Sequence, residues 1–199
     1  MSVKHSLLAL LGEKPRHGYE LRNEFRRRTG NSWPLNIGQV YTTVQRLVRD
    51  GLAEPHAGHD DGVERFVLTA AGRETAAAWW TTPVQRGTPA RDELVIKLAL
   101  AATAPGVDVV DLAQRQRRES MRSLHEYTRL QRTTGDDLAW ALVLDHLIFT
   151  LEAEIRWLDH VEAKVARAAA ESRQTPRPPG PAGARATGEV RAAAEEGRR

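Results

Sequence analysis

Between Asp136 and Ala170 the sequence carries one uninterrupted helical pattern, and no other feature limits the possible folds as strongly. Trp140, Leu144, Leu147, Leu151, Glu154, Leu158, Val161 and Val165 recur in alternating steps of four and three. That is the spacing of a heptad seam, and only Glu154 in it is polar. Ala141, Ile148 and Ile155 add a second stripe beside the seam, which makes the apolar face wider than a two-stranded coil requires. At 1.5 Å per residue the helix is roughly 50 Å long, too long for an 80-residue domain to cover alone. The pattern predicts a homodimer in which this helix is shared, with Trp140, Leu144, Leu147, Leu151 and Leu158 at the interface.

The N-terminal half is organised differently. Val3, Leu7, Leu8 and Leu11 have helical spacing, closed by Gly12 and Pro15. A second helix is predicted from His17 to about Thr29, with Gly30 as its left-handed stop. Asn36 offers a capping oxygen to a third helix that runs to Asp50 and ends at Gly51. Leu52 to His56 and Val63 to Leu68 read as two strands about the turn Gly58–Gly62, with Pro55 marking an edge. Thr69 caps a fourth helix from Ala70 to about Trp80. Helix, helix, helix, hairpin and helix, in that order, make a winged helix-turn-helix. The expected fold is therefore mainly α with a small β-hairpin wing, followed by a helical dimerisation domain. Its divisions are a DNA-binding domain over 1–82, a linker over 83–90, helices over 91–170 (about 91–103, 108–133 and 136–170), and a disordered tail over 171–199, whose Pro, Gly, Ala, Arg and Glu bury little apolar surface.

Composition narrows the function. Among 199 residues there is no cysteine, which excludes disulfides and thiolate metal sites. No signal peptide pattern and no apolar run near the roughly 20 residues of a membrane span is present, so a cytoplasmic protein without a membrane partner is expected. The net charge of +3 permits a nucleic-acid partner without requiring one.

On a wheel of the third helix, Ile37, Val40, Val44, Leu47 and Val48 gather on one side. Thr42, Arg46 and Arg49 lie opposite, flanked by Gln39 and Gln45. Amides and hydroxyls of this kind read base edges, and guanidiniums suit guanine or phosphate. A recognition helix places its N-terminal residues nearest the bases. Gln39 and Thr42 are thus expected to specify sequence, and Arg46 and Arg49 to hold phosphates. Arg65 is the one wing cation expected to join them, because Asp60 and Asp61 at the tip repel phosphate. The competing reading is a winged helix that binds only protein. An apolar exposed face would suit that use, and this face is polar and basic.

The runs Leu8-Ala9-Leu10-Leu11, His17-Gly18-Tyr19-Glu20-Leu21, Gly38-Gln39-Val40-Tyr41, Asp50-Gly51-Leu52 and Arg65-Phe66-Val67-Leu68-Thr69-Ala70-Ala71-Gly72 resemble the PadR family of bacterial regulators. Arg91-Asp92-Glu93-Leu94 with Lys97-Leu98, ahead of long helices, resembles its longer subclass. The resemblance implies a homodimer with interlocked C-terminal helices, bound to an inverted-repeat operator in double-stranded DNA and released by a small-molecule effector. It also implies a phosphate contact for Tyr41, whose other reading is a core aromatic under the wing. Asn36 stands where the family usually has Ser, Gln39 and Thr42 where Thr and Pro are common, and Phe66 where Tyr is frequent, so the operator sequence does not carry over.

Other constellations read as structure. Arg26-Arg27-Arg28 offsets the negative end of the second helix. His56 and His59 beside Asp60 and Asp61 lack metal-ligand spacing, and Asp145-His146 and Asp159-His160 read as polar rim. Among five tryptophans, Trp79, Trp80, Trp140 and Trp157 read as packing residues, with the junction between the winged helix and the C-terminal helices as the default effector site. No Walker loop, nucleophile elbow or dinucleotide fingerprint is found. No cofactor and no enzymatic activity are expected.

Overall fold

The computed structural model describes residues 3–56, 63–85 and 91–174. The wing turn over 58–62, part of the linker and the tail beyond 174 lie outside the described residues.

The elements run α1 (Val3–Leu11), α2 (Gly18–Arg28), α3 (Ile37–Arg49), β1 (Ala53–His56), β2 (Arg65–Leu68), α4 (Ala70–Thr81), α5 (Glu93–Ala101), α6 (Val109–Thr133) and α7 (Leu138–Gln174). Each start in the N-terminal domain after α1 has a chemical cause. His17 accepts from the third residue of its helix while Glu20 accepts from the His17 N–H, a reciprocal capping box. Asn36 and Thr69 each accept one free N–H of α3 and α4. The core gathers Leu7, Leu8, Leu21, Val40, Val44 and Leu47, all essentially inaccessible to solvent, beneath Phe66 and Leu68 of the wing.

β1 and β2 pair antiparallel, from Ala53 opposite Leu68 to His56 opposite Arg65. The free edge of β2 is not left bare. Arg16 N–H donates to Phe66 O at 3.2 Å, and Phe66 N–H donates to Arg16 O at 2.9 Å. Arg16 is itself buried, with Nε bonded to Leu10 O and a terminal nitrogen 2.7 Å from Glu13. Sequence spacing made Pro15-Arg16 only a helix stop. Here it is the third strand of the wing platform.

α6 and α7 form an antiparallel hairpin, shown by Arg117 bonding Asp159 and Gln131 bonding Asp145. The one polar seam position faces inward between them. Glu154 accepts from the buried Ser120 hydroxyl and, at 3.1 Å, from Gln116. A satisfied carboxylate here fixes the register of the hairpin, because any slip would bury it unpaired.

The dimer seam expected from periodicity is corrected by this packing. Leu144 and Leu158 are fully buried inside a single chain, Leu158 against Leu98 and Ala113. Trp140 packs over Gly30 at the end of α2 (φ +55°), where a Cβ would meet its ring at 2.0 Å. Leu147 and Leu151 stay half-buried. The large apolar side chains that α7 leaves in solvent are instead Leu138, Leu142 and Phe149. At about 100° per residue they fall within roughly 40° of one another and opposite the buried seam.

α2 meets α7 through charge as well as through Trp140. Asp137 accepts from the Trp140 N–H at 3.2 Å and from Arg27 at 2.9 Å. Arg27 also bonds Glu24, which Arg28 joins. The Arg27 guanidinium, working against partial burial and helped by Arg28, holds the Glu24 carboxyl down at about 2. A lowered folded value stabilises the fold above the ordinary value of 4.5, and that stability disappears as pH falls through about 2. Glu24→Gln should therefore cost about 1–2 kcal/mol in urea unfolding at pH 7, allowing for solvent screening. The gap from the unsubstituted protein should narrow steadily below pH 4.5; a gap independent of pH would refute the assignment.

Candidate nucleic-acid interface

α3 owes its orientation to its amphipathic sequence and to two anchors. Val40, Val44 and Leu47 are buried in the domain core, which turns the opposite face outward. Asn36 Oδ1 receives the Gln39 N–H at 2.7 Å and fixes the first turn. Arg22 Nε donates to Leu35 O at 3.1 Å, tying the preceding loop to α2. Asn36, Gln39, Tyr41, Thr42, Gln45, Arg46 and Arg49 are all exposed, so seven of the eight residues expected at this surface lie on one solvent-facing side of the domain.

Arg65 is placed otherwise. Its guanidinium bonds both Glu20 oxygens at 3.0 and 3.1 Å, and only 15% of its side chain is exposed. Burial pushes the Glu20 carboxyl up, but the His17 N–H and Arg65 outweigh it and hold the group below the ordinary value. Arg65 therefore locks the wing onto the start of α2 rather than offering a cation to phosphate. The charge pattern of β2 gave no sign of Glu20, because the pair is separated by 45 residues.

Tyr41 reconciles its two readings. Its ring lies on the α-carbon of Gly18, where a Cβ would approach to 2.8 Å, yet the residue is 39% exposed. Tyr19 meets it edge-on, with ring centres 6.3 Å apart, and is 52% exposed. Tyr19 was legible only as part of a motif; its position beside the recognition face depends on α2 crossing α3.

On the other flank, Lys4 of α1, Gln39, Thr42, Arg46 and Asp50 border one cleft of about 710 Å³. Arg49 bonds Asp50 at 3.0 and 3.2 Å, and Lys4 Nζ stands 3.8 Å from the same carboxylate. The surface thus runs from two tyrosines, across amides, a hydroxyl and guanidiniums, to a cation on another helix. It can donate to base edges and phosphates along a convex helix, and it has no enclosed volume for chemistry on a small substrate.

The family model for transcriptional regulators of the PadR-like family matches residues 7–78, and the model for the C-terminal region of virulence activator alpha matches residues 90–166. A protein of Lysinibacillus sphaericus described only as uncharacterised is 34% identical over 70 residues, and that match spans 64% of its length. Bacillus subtilis PadR in complex with operator DNA superimposes with a TM-score of 0.66 at 18% identity, over 83% of this chain and 99% of that one. The same protein with p-coumaric acid gives 0.67 at 18% identity over the same shares. The Vibrio cholerae virulence activator AphA gives 0.61 at 21% identity, over 83% of this chain and 98% of that one.

Proposed function

This chain belongs to the PadR-like family of transcriptional regulators, and from that premise we propose that it recognises specific duplex DNA with α3 in the major groove. One observation carries the reading: Asn36, Gln39, Tyr41, Thr42, Gln45, Arg46 and Arg49 share the exposed side of a helix held rigidly from behind. Gln39 and Thr42, near the N-terminus of α3, read bases; Arg46, Arg49 and Tyr41 hold the backbone. Arg65 acts through Glu20, by positioning the wing.

Residues 1–82 bind DNA and 91–170 pair two copies of the chain. The pairing face is the exposed stripe of Leu138, Leu142 and Phe149, too apolar to leave in water on a monomer. A two-fold dimer of recognition helices reads an inverted repeat with half-sites about one helical turn, roughly 34 Å, apart. The protein acts in the cytoplasm by binding rather than catalysis, as a repressor released by a small effector. The α2–α7 junction supports that last step, because Arg26, Arg27, Asn23, Asn31 and Trp140 line an open cleft of about 450 Å³ there. An anionic aromatic ligand would meet guanidiniums and an indole at the contact that links the two domains.

The test is titration of duplexes selected from a random pool, against scrambled controls, at several salt concentrations. Arg46→Ala should weaken binding to every duplex and flatten the logarithmic salt slope by about 0.9. Gln39→Ala should relax preference at one base pair by about 1–3 kcal/mol and leave the slope alone. If both variants bind as the unsubstituted protein does, α3 does not read DNA, and the protein-interaction reading replaces this one.

A further inference from the structure

Asp50 places a carboxylate where a helix end least favours one. It caps the C-terminus of α3, the negative end of the helix dipole, where cations are stabilising and anions are not. It also lies on the rim of a surface meant for phosphate. Two cations compensate it there: Arg49 at 3.0 and 3.2 Å, and Lys4 of α1 with Nζ at 3.8 Å. Neither pair is buried; the Lys4 and Asp50 side chains are 43% and 38% exposed, and that of Arg49 72%. Exposed pairs of this kind contribute little to stability and exchange partners readily. Lys4 and Asp50 border the same cleft as Gln39, Thr42 and Arg46, so the charges that pair with Asp50 stand beside the residues that read bases.

We propose that Asp50 is a specificity-determining residue of the DNA surface, a counter-charge that withholds Lys4 and Arg49 from the phosphates of any duplex that fits loosely. Binding without sequence preference is driven almost wholly by cations neutralising phosphates. On a loosely held duplex the carboxylate competes for both cations and repels the backbone. On a duplex whose bases satisfy Gln39 and Thr42, the strand is held close enough for phosphates to take Lys4 and Arg49 from Asp50. Selectivity then comes from a repulsive element as well as from attractive contacts. Lys4 becomes a phosphate ligand contributed by α1, outside the recognition helix. This inference rests on the major-groove reading of α3.

Asp50→Asn keeps an acceptor for Arg49 and removes only the charge. Against a scrambled duplex, affinity should rise about tenfold, with the salt slope steeper by roughly 0.9 for each released cation. Against the selected duplex it should change by no more than about threefold, so the specificity ratio falls. Adding Lys4→Gln should take back part of the gain on scrambled DNA, which a purely structural role for Asp50 does not predict. The proposal is overturned if Asp50→Asn binds the scrambled duplex as tightly as the unsubstituted protein, or more weakly, whether or not its melting temperature falls. Arg46→Ala separates the two failures. If it weakens binding while Asp50→Asn does nothing, only the role of Asp50 is lost; if it too is without effect, the reading of α3 fails as well.

Discussion

Phe149→Asp is expected to convert the protein from a dimer to a folded monomer at micromolar concentration. Phe149 is 64% exposed in the single chain, and Leu142 and Leu138 on the same stripe are 61% and 71% exposed. A carboxylate at that position is harmless in water, but in the dimer it would be buried against the apolar stripe of a partner, at a cost of several kcal/mol for each copy. Because operator binding joins two half-sites, loss of the dimer should also lower affinity for the inverted repeat by about 100-fold or more. Leu144→Asp is the informative contrast. Leu144 has no exposed surface within its own chain, so charge there should unfold the α6–α7 hairpin rather than merely separate two copies. Sedimentation equilibrium gives the mass and circular dichroism the helix content. A dimer mass for Phe149→Asp would move the interface away from this stripe, for instance to the apolar groove between Leu98, Val109, Val161 and Val165.

Gly72→Ala should be the most damaging single-methyl change in the winged helix. Gly72 is in the first turn of α4, where its N–H is capped by Thr69. A Cβ added there would lie 1.9 Å from Leu52 O and 2.9 Å from its carbonyl carbon. The obstacle is backbone, so no rotamer change relieves it. The Leu52 carbonyl also accepts the Thr69 N–H, and moving it breaks the junction that leads from α3 through the hairpin into α4. The cost should be about 3 kcal/mol or more, which for a domain of this size lowers the melting temperature by on the order of 15 °C. Alanine is otherwise the better helix former, so an exposed glycine-to-alanine change in a helix would stabilise. A neutral or raised melting temperature would show that α4 packs less closely on Leu52 than its coordinates place it.

Gly72 was readable in the sequence only as a motif residue, and the contrast runs through the whole molecule. Helix starts were legible because a cap needs one side chain and an N–H two or three residues away; Asn36 with Gln39 and Thr69 with Gly72 are complete within four residues. The outward face of α3 was legible for the same reason, since five apolar residues at helical spacing fix which side the core takes. The order of elements, and with it a winged helix followed by long helices, is a sum of such local signals.

What a local period leaves open is which partner covers a face. The α7 seam was bound to be buried, and the sequence is silent on whether a second chain or α6 does the burying; the register set by Glu154 with Ser120 and Gln116 decides for α6 at Leu158 and leaves Phe149 outside. Charges behave likewise. Arg65 finds Glu20 across 45 residues, and Lys4 reaches Asp50 from another helix, because a long cation settles on whichever carboxylate packing brings within 4 Å. Capping and periodicity act over a few residues and are written in the chain. Pair contacts between distant segments exist only once apolar burial has closed the domain around them, so tertiary structure alone decided which cations of this surface face DNA and which are held by the protein itself.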